Sequence, residues 1–212
     1  MMNEQFLRND QYNFIKRQVR QLVNGHASVN DQHVIGALES LSIEKVLDLF
    51  TDVTVGQKEI LNKMVEIEDK EEADKFLVNL ATYIIPFNEP SEKRLKKFFP
   101  KVKKLKLPTE GLNYKRMTYV SFDDIGTKRR YIITPTQKGM IGLSGTYEES
   151  NVKQFCSICN RLTKSYMFMT KTKGEIAGTY TKKGNYICQD AEDCNQHVWT
   201  LEKLYEFVDN VK

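Results

Sequence analysis

An α+β fold is predicted for this 212-residue chain: a helical bundle first, then an α/β domain of antiparallel strands built around four cysteines. Three observations predict it. Apolar residues recur at helical spacing through the first 85 residues; short β-branched and aromatic runs begin after residue 115; and every cysteine lies after residue 150. The composition, 40% hydrophobic and 28% charged, is that of a folded soluble chain and excludes collagen-like or largely disordered classes. No apolar run approaches the ~18 residues of a membrane span. Met1 to Asp10 lacks the basic region and apolar stretch of a secretory signal, so a cytoplasmic protein is expected.

The elements follow in order. Tyr12, Ile15, Val19 and Leu22 step by three and four and predict a helix over 10–24, with Asn24-Gly25 as its stop. Asn30 stands at an N-cap position before Val34, Ala37, Leu38 and Leu41. Ile43, Val46, Leu47 and Phe50 continue a helical period after Ser42. Thr54-Val55-Gly56-Gln57 has the form of a capping box, and Ile60, Leu61, Met64 and Ile67 follow it. An acidic run from Glu66 to Asp74 leads into Phe76, Leu77, Leu80, Ile84 and Ile85, which Pro86 ends. These four or five helices form one domain, 1–87.

The second domain, 88–212, starts with a short helix capped by Ser91, carrying Leu95, Phe98 and Phe99 on one side and Lys93, Arg94, Lys96 and Lys97 on the other. Pro100 ends it, and an extended basic segment runs on to Pro108. The runs 118–122, 130–134 and 140–143 read as strands, punctuated by Gly126, Pro135, Gly139 and Gly145. Leu201, Leu204, Tyr205 and Val208 mark a last helix from Thr200 to Val211.

Charge is uneven along the chain. Residues 1–90 hold 9 Lys/Arg against 15 Asp/Glu, residues 91–140 hold 14 against 4, and the remainder 9 of each. A basic middle segment fits an anionic partner, nucleic acid or acidic protein; equally, it fits a solvated lysine-rich face.

Cys156, Cys159, Cys188 and Cys194 follow the spacing C-x2-C, 28 residues, C-x5-C. Disulfides are disfavoured in a reducing cytosol, and two close pairs across a loop are how a tetrahedral zinc is commonly supplied. Between the pairs, Tyr166 to Met169 and Gly178 to Thr181 fold back as a hairpin, and Cys194 precedes the last helix. Knuckle, hairpin and helix are the layout of a treble-clef zinc finger. Four thiolates close the metal shell, which makes the zinc structural. The competing readings are four unrelated buried cysteines or a redox pair at Cys156/Cys159. His197 lies near enough in sequence to replace a ligand.

Nothing marks an enzyme. His26, His33 and His197 are the only histidines, none beside an evident nucleophile, and no nucleotide-binding glycine motif occurs.

One combination carries a family likeness: the acidic helical front, Phe98-Phe99-Pro100-Lys101 with its basic continuation, Arg130-Tyr131-Ile132-Ile133, Phe155-Cys156-Ser157-Ile158-Cys159-Asn160, Tyr180-Thr181-Lys182-Lys183-Gly184-Asn185-Tyr186-Ile187-Cys188, Cys194-Asn195 and Leu204-Tyr205-Glu206-Phe207. It resembles the FusB/FusC family of elongation factor G-binding proteins. The resemblance implies binding to the C-terminal domains of elongation factor G, its release from ribosomes stalled by fusidic acid, an unmodified drug, and a monomer. It also implies partner contacts at Phe155, Lys183, Tyr186 and Phe207. Phe207, roughly 90° from the centre of the stripe formed by Leu201, Leu204 and Val208, is expected at its exposed edge. The alternative is that these aromatics pack around the zinc. A different function is also open: an RNA- or ribosome-binding zinc protein using the basic segment 93–106, although Phe98 and Phe99 sit on the apolar side of their helix. A secondary contact to ribosomal RNA is compatible with both.

Overall fold

The computed structural model describes residues 4–102, 105, 111–173 and 179–212, which form two compact units, Met1–Ile85 and Pro86–Lys212. Most of the extended basic segment expected up to Pro108, with Lys103, Lys104 and Lys106, lies outside the described residues, as does Gly178.

The first unit holds α1 (Asn9–Ser28), α2 (Gln32–Leu47), α3 (Val55–Asn62) and α4 (Lys70–Leu80), with short 3-10 turns after α3 and α4. Its core is Leu7, Ile15, Val19, Leu22, Val46, Leu61, Met64, Leu77, Leu80 and Ile84. The capping box at Thr54 forms as expected: Gln57 N donates to Thr54 Oγ1 at 3.3 Å, and Thr54 N donates to Gln57 Oε1 at 3.0 Å. Two expectations are corrected. Gly25 does not stop α1, which continues to Ser28; a Cβ there would come within 2.4 Å of Leu38 Cδ2, so the glycine lets α2 approach closely. The N-cap of α2 is Asp31, not Asn30, accepting from His33 N and Val34 N. The period that continues past Ser42 belongs to the same helix, within which Ser42 is buried.

The second unit begins with α5 (Glu92–Phe98), capped by Ser91 Oγ. Five strands then build one antiparallel sheet in the order β1-β2-β3-β6-β7: β1 (Val120–Asp124), β2 (Arg129–Thr136), β3 (Gly139–Glu149), β6 (Ser165–Lys173) and β7 (Tyr180–Cys188). A two-stranded ribbon, β4 (Gln154–Phe155) with β5 (Leu162–Thr163), is inserted between β3 and β6. Helices α6 (Ala191–Asn195) and α7 (Glu202–Val211) close the chain.

Period-two alternation gives the sheet two cores. On one face Val120, Phe122, Tyr131 and Ile133 pack with Leu95 of α5 and with Phe99, which ends that helix. On the other Ile132, Leu143, Phe168 and Ile187 pack with Leu204, Phe207, Val208 and Val211 of α7 and with the cysteines. Pro135 does not end β2. It lies in the strand opposite Met140, beyond the end of β1, whose pairing stops at Val120↔Ile133, so no ladder bond needs its missing N–H. Gly145 likewise lies inside β3: a Cβ there would stand 2.4 Å from the Met169 carbonyl. Among the described residues no helix is long and apolar enough to cross a membrane.

Candidate metal centre and the surface around it

β4 and β5 bracket a tight knuckle. Cys156 N donates to Arg161 O at 2.9 Å and Asn160 N to Cys156 O at 2.8 Å. The turn is completed by Asn160 at φ 56°, a left-handed conformation that asparagine tolerates better than most residues. Ser157 N donates to Tyr186 O at 2.8 Å, tying the knuckle to β7. Cys188 is the last residue of β7, and Cys194 sits in α6, whose N-cap Asp190 accepts from Glu192 N and Asp193 N.

These elements bring the four cysteines together. All are buried free thiols, and their Sγ atoms lie within 4.8 Å of one another. Cys159 and Cys188 are 3.5 Å apart at sulfur, Cys156 and Cys194 3.8 Å. Metal–sulfur bonds of ~2.3 Å at tetrahedral angles give sulfur–sulfur edges of ~3.8 Å, so the donor set fits a tetrahedral metal ion. The thiols cannot ionise independently. Hydrogen bonding from Cys159, Cys188 and Cys194 holds the Cys156 thiol well below its ordinary range, and hydrogen bonding to Cys156 pushes Cys188 and Cys194 upward. A bound dication would offset the repulsion among four thiolates.

The surrounding shell fixes the ligands. Ile158 N and Cys188 N each point at Cys156 Sγ from 3.4 Å. Arg130 is 3% exposed and its guanidinium spans two elements: Nη1 donates to Cys188 O and Nη2 to Gln189 O, both at 2.6 Å, while Nε and Nη2 grip the Asp123 carboxylate at 2.6 and 2.8 Å. Buried Asn195 accepts from Thr118 N and Tyr119 N and donates to Tyr119 O and Ala191 O, joining the start of β1 to α6. Arg130→Met leaves Asp123 and two carbonyls without their donor, and a loss of about 3 kcal/mol is expected in denaturant unfolding; a loss under about 1 kcal/mol would contradict a clamping role. Arg130 and Asn195 stand in runs that carry the family likeness, but no motif gives their roles, because each acts through backbone groups distant in sequence.

His197 is not in the cysteine cluster. Its Nδ1 lies 2.7 Å from both Asp193 O and Arg161 Nη1, so this nitrogen is occupied at the protein surface.

The four expected contact residues are placed differently from one another. Phe155 is 65% exposed. It pairs directly across the ribbon with Leu162, itself 54% exposed, and together they form an apolar tip beside the knuckle. Leu162 carries no motif; its position opposite Phe155 emerges only once the knuckle turns the chain back. Lys183 is exposed and Tyr186 half-buried, three residues apart on edge strand β7 and therefore on opposite faces. Phe207 is corrected: it is 1% exposed and packs in the core, its ring centroid 6.0 Å from that of Phe168. The buried stripe of α7 is Leu204, Phe207, Val208 and Val211. Leu201 precedes α7 and is only half-buried, while Val211 joins the buried set; the centre of Leu204, Val208 and Val211 lies roughly 25° nearer Phe207 than that of Leu201, Leu204 and Val208 at ~100° per residue, which carries that ring inside.

Comparison with known proteins places this geometry. Residues 6–88 match the family model described as elongation factor G-binding protein, N-terminal. Among solved structures, the fusidic acid resistance protein FusC matches at 31% sequence identity and a TM-score of 0.83, covering 100% of this chain and 99% of that one. No curated protein matches the chain significantly.

Proposed function

This chain belongs to the FusB/FusC family of elongation factor G-binding proteins, and from that premise we propose that it binds elongation factor G and gives fusidic acid resistance by releasing the factor from drug-stalled ribosomes. The observation that carries the proposal is the full-length likeness to the fusidic acid resistance protein FusC. The four-cysteine centre holds one structural zinc: four thiolates leave no open position for a water or substrate, so the metal builds a surface and performs no chemistry on the drug.

That surface is the docking site. Phe155 with Leu162 supplies an apolar anchor of the kind that dominates interface energetics. Tyr186 is held beside the knuckle by the Ser157–Tyr186 hydrogen bond. Because Lys183 occupies the other face of β7, a partner engaging both residues wraps the edge of the sheet. Phe207 acts from beneath, as the core residue that seats α7. The protein works as a monomer in a one-to-one complex. Release follows when the factor in complex fits the ribosome less well than the free factor does, since a ligand shifts an equilibrium only through differential affinity.

The test is GTP turnover by elongation factor G on ribosomes inhibited with fusidic acid. Adding the zinc-loaded chain is expected to restore turnover, with no change in the recovered drug. Turnover that stays inhibited at saturating chain would contradict the release mechanism.

A further inference from the structure

The sheet of the second unit is only partly covered on the face that carries α5. Beyond Phe99 the same face continues as an open cleft of about 780 Å³ across β2, β3, β6 and β7. Lys101, Arg129, Lys171 and Lys182 line it, and no carboxylate does so among the described residues. None of these four cations is in an ion pair with a described residue. Lys171 and Lys182 are direct partners in the β6–β7 register, with both side chains exposed. Like charges placed directly opposite each other on a sheet destabilise it. An anion seated between them would turn that repulsion into attraction.

Charge alone does not choose between a polyphosphate and an acidic polypeptide. The aromatic group does. Tyr180, 58% exposed as a residue, lines the cleft, and Lys171 Nζ lies over its ring, 4.1 Å from the centroid. An exposed ring among cations is how single strands are held: cations follow the backbone and bases stack on the aromatic group. Ser144 and Thr146 add hydroxyl donors along β3. We infer that this cleft binds the phosphate backbone of single-stranded RNA, with a base stacked on Tyr180. The site is separate from the apolar tip at Phe155 and Leu162, and it centres on Lys171, Tyr180 and Lys182, with Lys101 the one cation of the basic segment 93–106 that lines it.

The experiment is fluorescence anisotropy of a labelled oligouridylate of about 12 nucleotides with the full zinc-loaded chain, across ~50 to 200 mM salt. Wild type is expected to bind with a steep salt dependence. Lys171→Gln with Lys182→Gln should weaken binding at least about tenfold at ~100 mM salt and reduce the log–log salt slope by about 1.4, that is ~0.7 for each lost phosphate contact on a single strand. Lys171→Arg with Lys182→Arg should retain binding. Tyr180→Leu should weaken it several-fold while leaving the slope unchanged. All variants lie on exposed positions, and an unaltered melting profile confirms their fold. The inference is overturned by a wild type that fails to bind at ~100 mM salt, or by a glutamine pair that binds like wild type. It is also overturned by a polyglutamate peptide that displaces the oligonucleotide with the same dependence on Lys171 and Lys182, which would make the cleft an acidic-protein site. None of these outcomes bears on binding to elongation factor G, which is read separately.

Discussion

Replacing Cys156 or Cys188 by serine is expected to abolish the second unit as a folded domain. The metal ties together a knuckle, the end of β7 and the five-residue α6 at the centre of the core that α7 closes. Structural zinc contributes roughly 10–16 kcal/mol of apparent binding free energy in small finger peptides, comparable to the roughly 5–15 kcal/mol that a whole domain has as net stability. Loss of one thiolate leaves three ligands and opens the shell. The expected readout is loss of one zinc equivalent on chelator titration, together with loss of near-ultraviolet circular dichroism. The helical signal of the first unit should survive, because its core from Leu7 to Ile84 is its own. A serine variant that folds and keeps one tightly held zinc would contradict the metal assignment.

Phe207→Ala separates a scaffold from an anchor. Its side chain is among the largest fully buried ones, packed with Phe168, Leu204 and Val208. Truncation of a buried phenylalanine costs about 3–5 kcal/mol, so the second unit should melt much earlier and lose function through instability. At a temperature where the variant remains folded, its affinity for elongation factor G should stay within a few-fold of wild type. Full stability with lost binding would instead make Phe207 a contact residue.

The contrast between these two positions shows what was legible. The cysteine centre is legible because its information is local: a C-x2-C knuckle and a second pair suffice, and the fold brings all four sulfurs together. The helices and strands were legible for a related reason, since apolar periodicity reports the face that must be buried. Boundaries were harder. Gly25 has the look of a stop, yet it answers to Leu38 on the neighbouring helix, a tertiary contact that no local pattern reveals. The place of Phe207 depends on where the stripe of α7 begins and ends, since Leu201 falls outside the helix and Val211 inside the core. Leu162 has no local signal, because its partnership with Phe155 exists only across the folded ribbon. The family likeness was drawn chiefly from motifs in the second unit, whereas the family model matches residues 6–88. A helical bundle spreads its identity over many weakly constrained positions, which a motif cannot capture and a family model can.

The central claim is that a zinc-built apolar tip docks on elongation factor G. Calorimetric titration of the zinc-loaded chain with purified factor tests it most directly, run for wild type and for Phe155→Ala with Leu162→Ala. The account predicts a one-to-one complex for wild type and a loss of at least about 2 kcal/mol in the variant, with melting temperature and zinc content unchanged because both side chains are exposed. A wild type that gives no heat and does not co-elute with the factor, or a variant that binds as tightly as wild type, would contradict it.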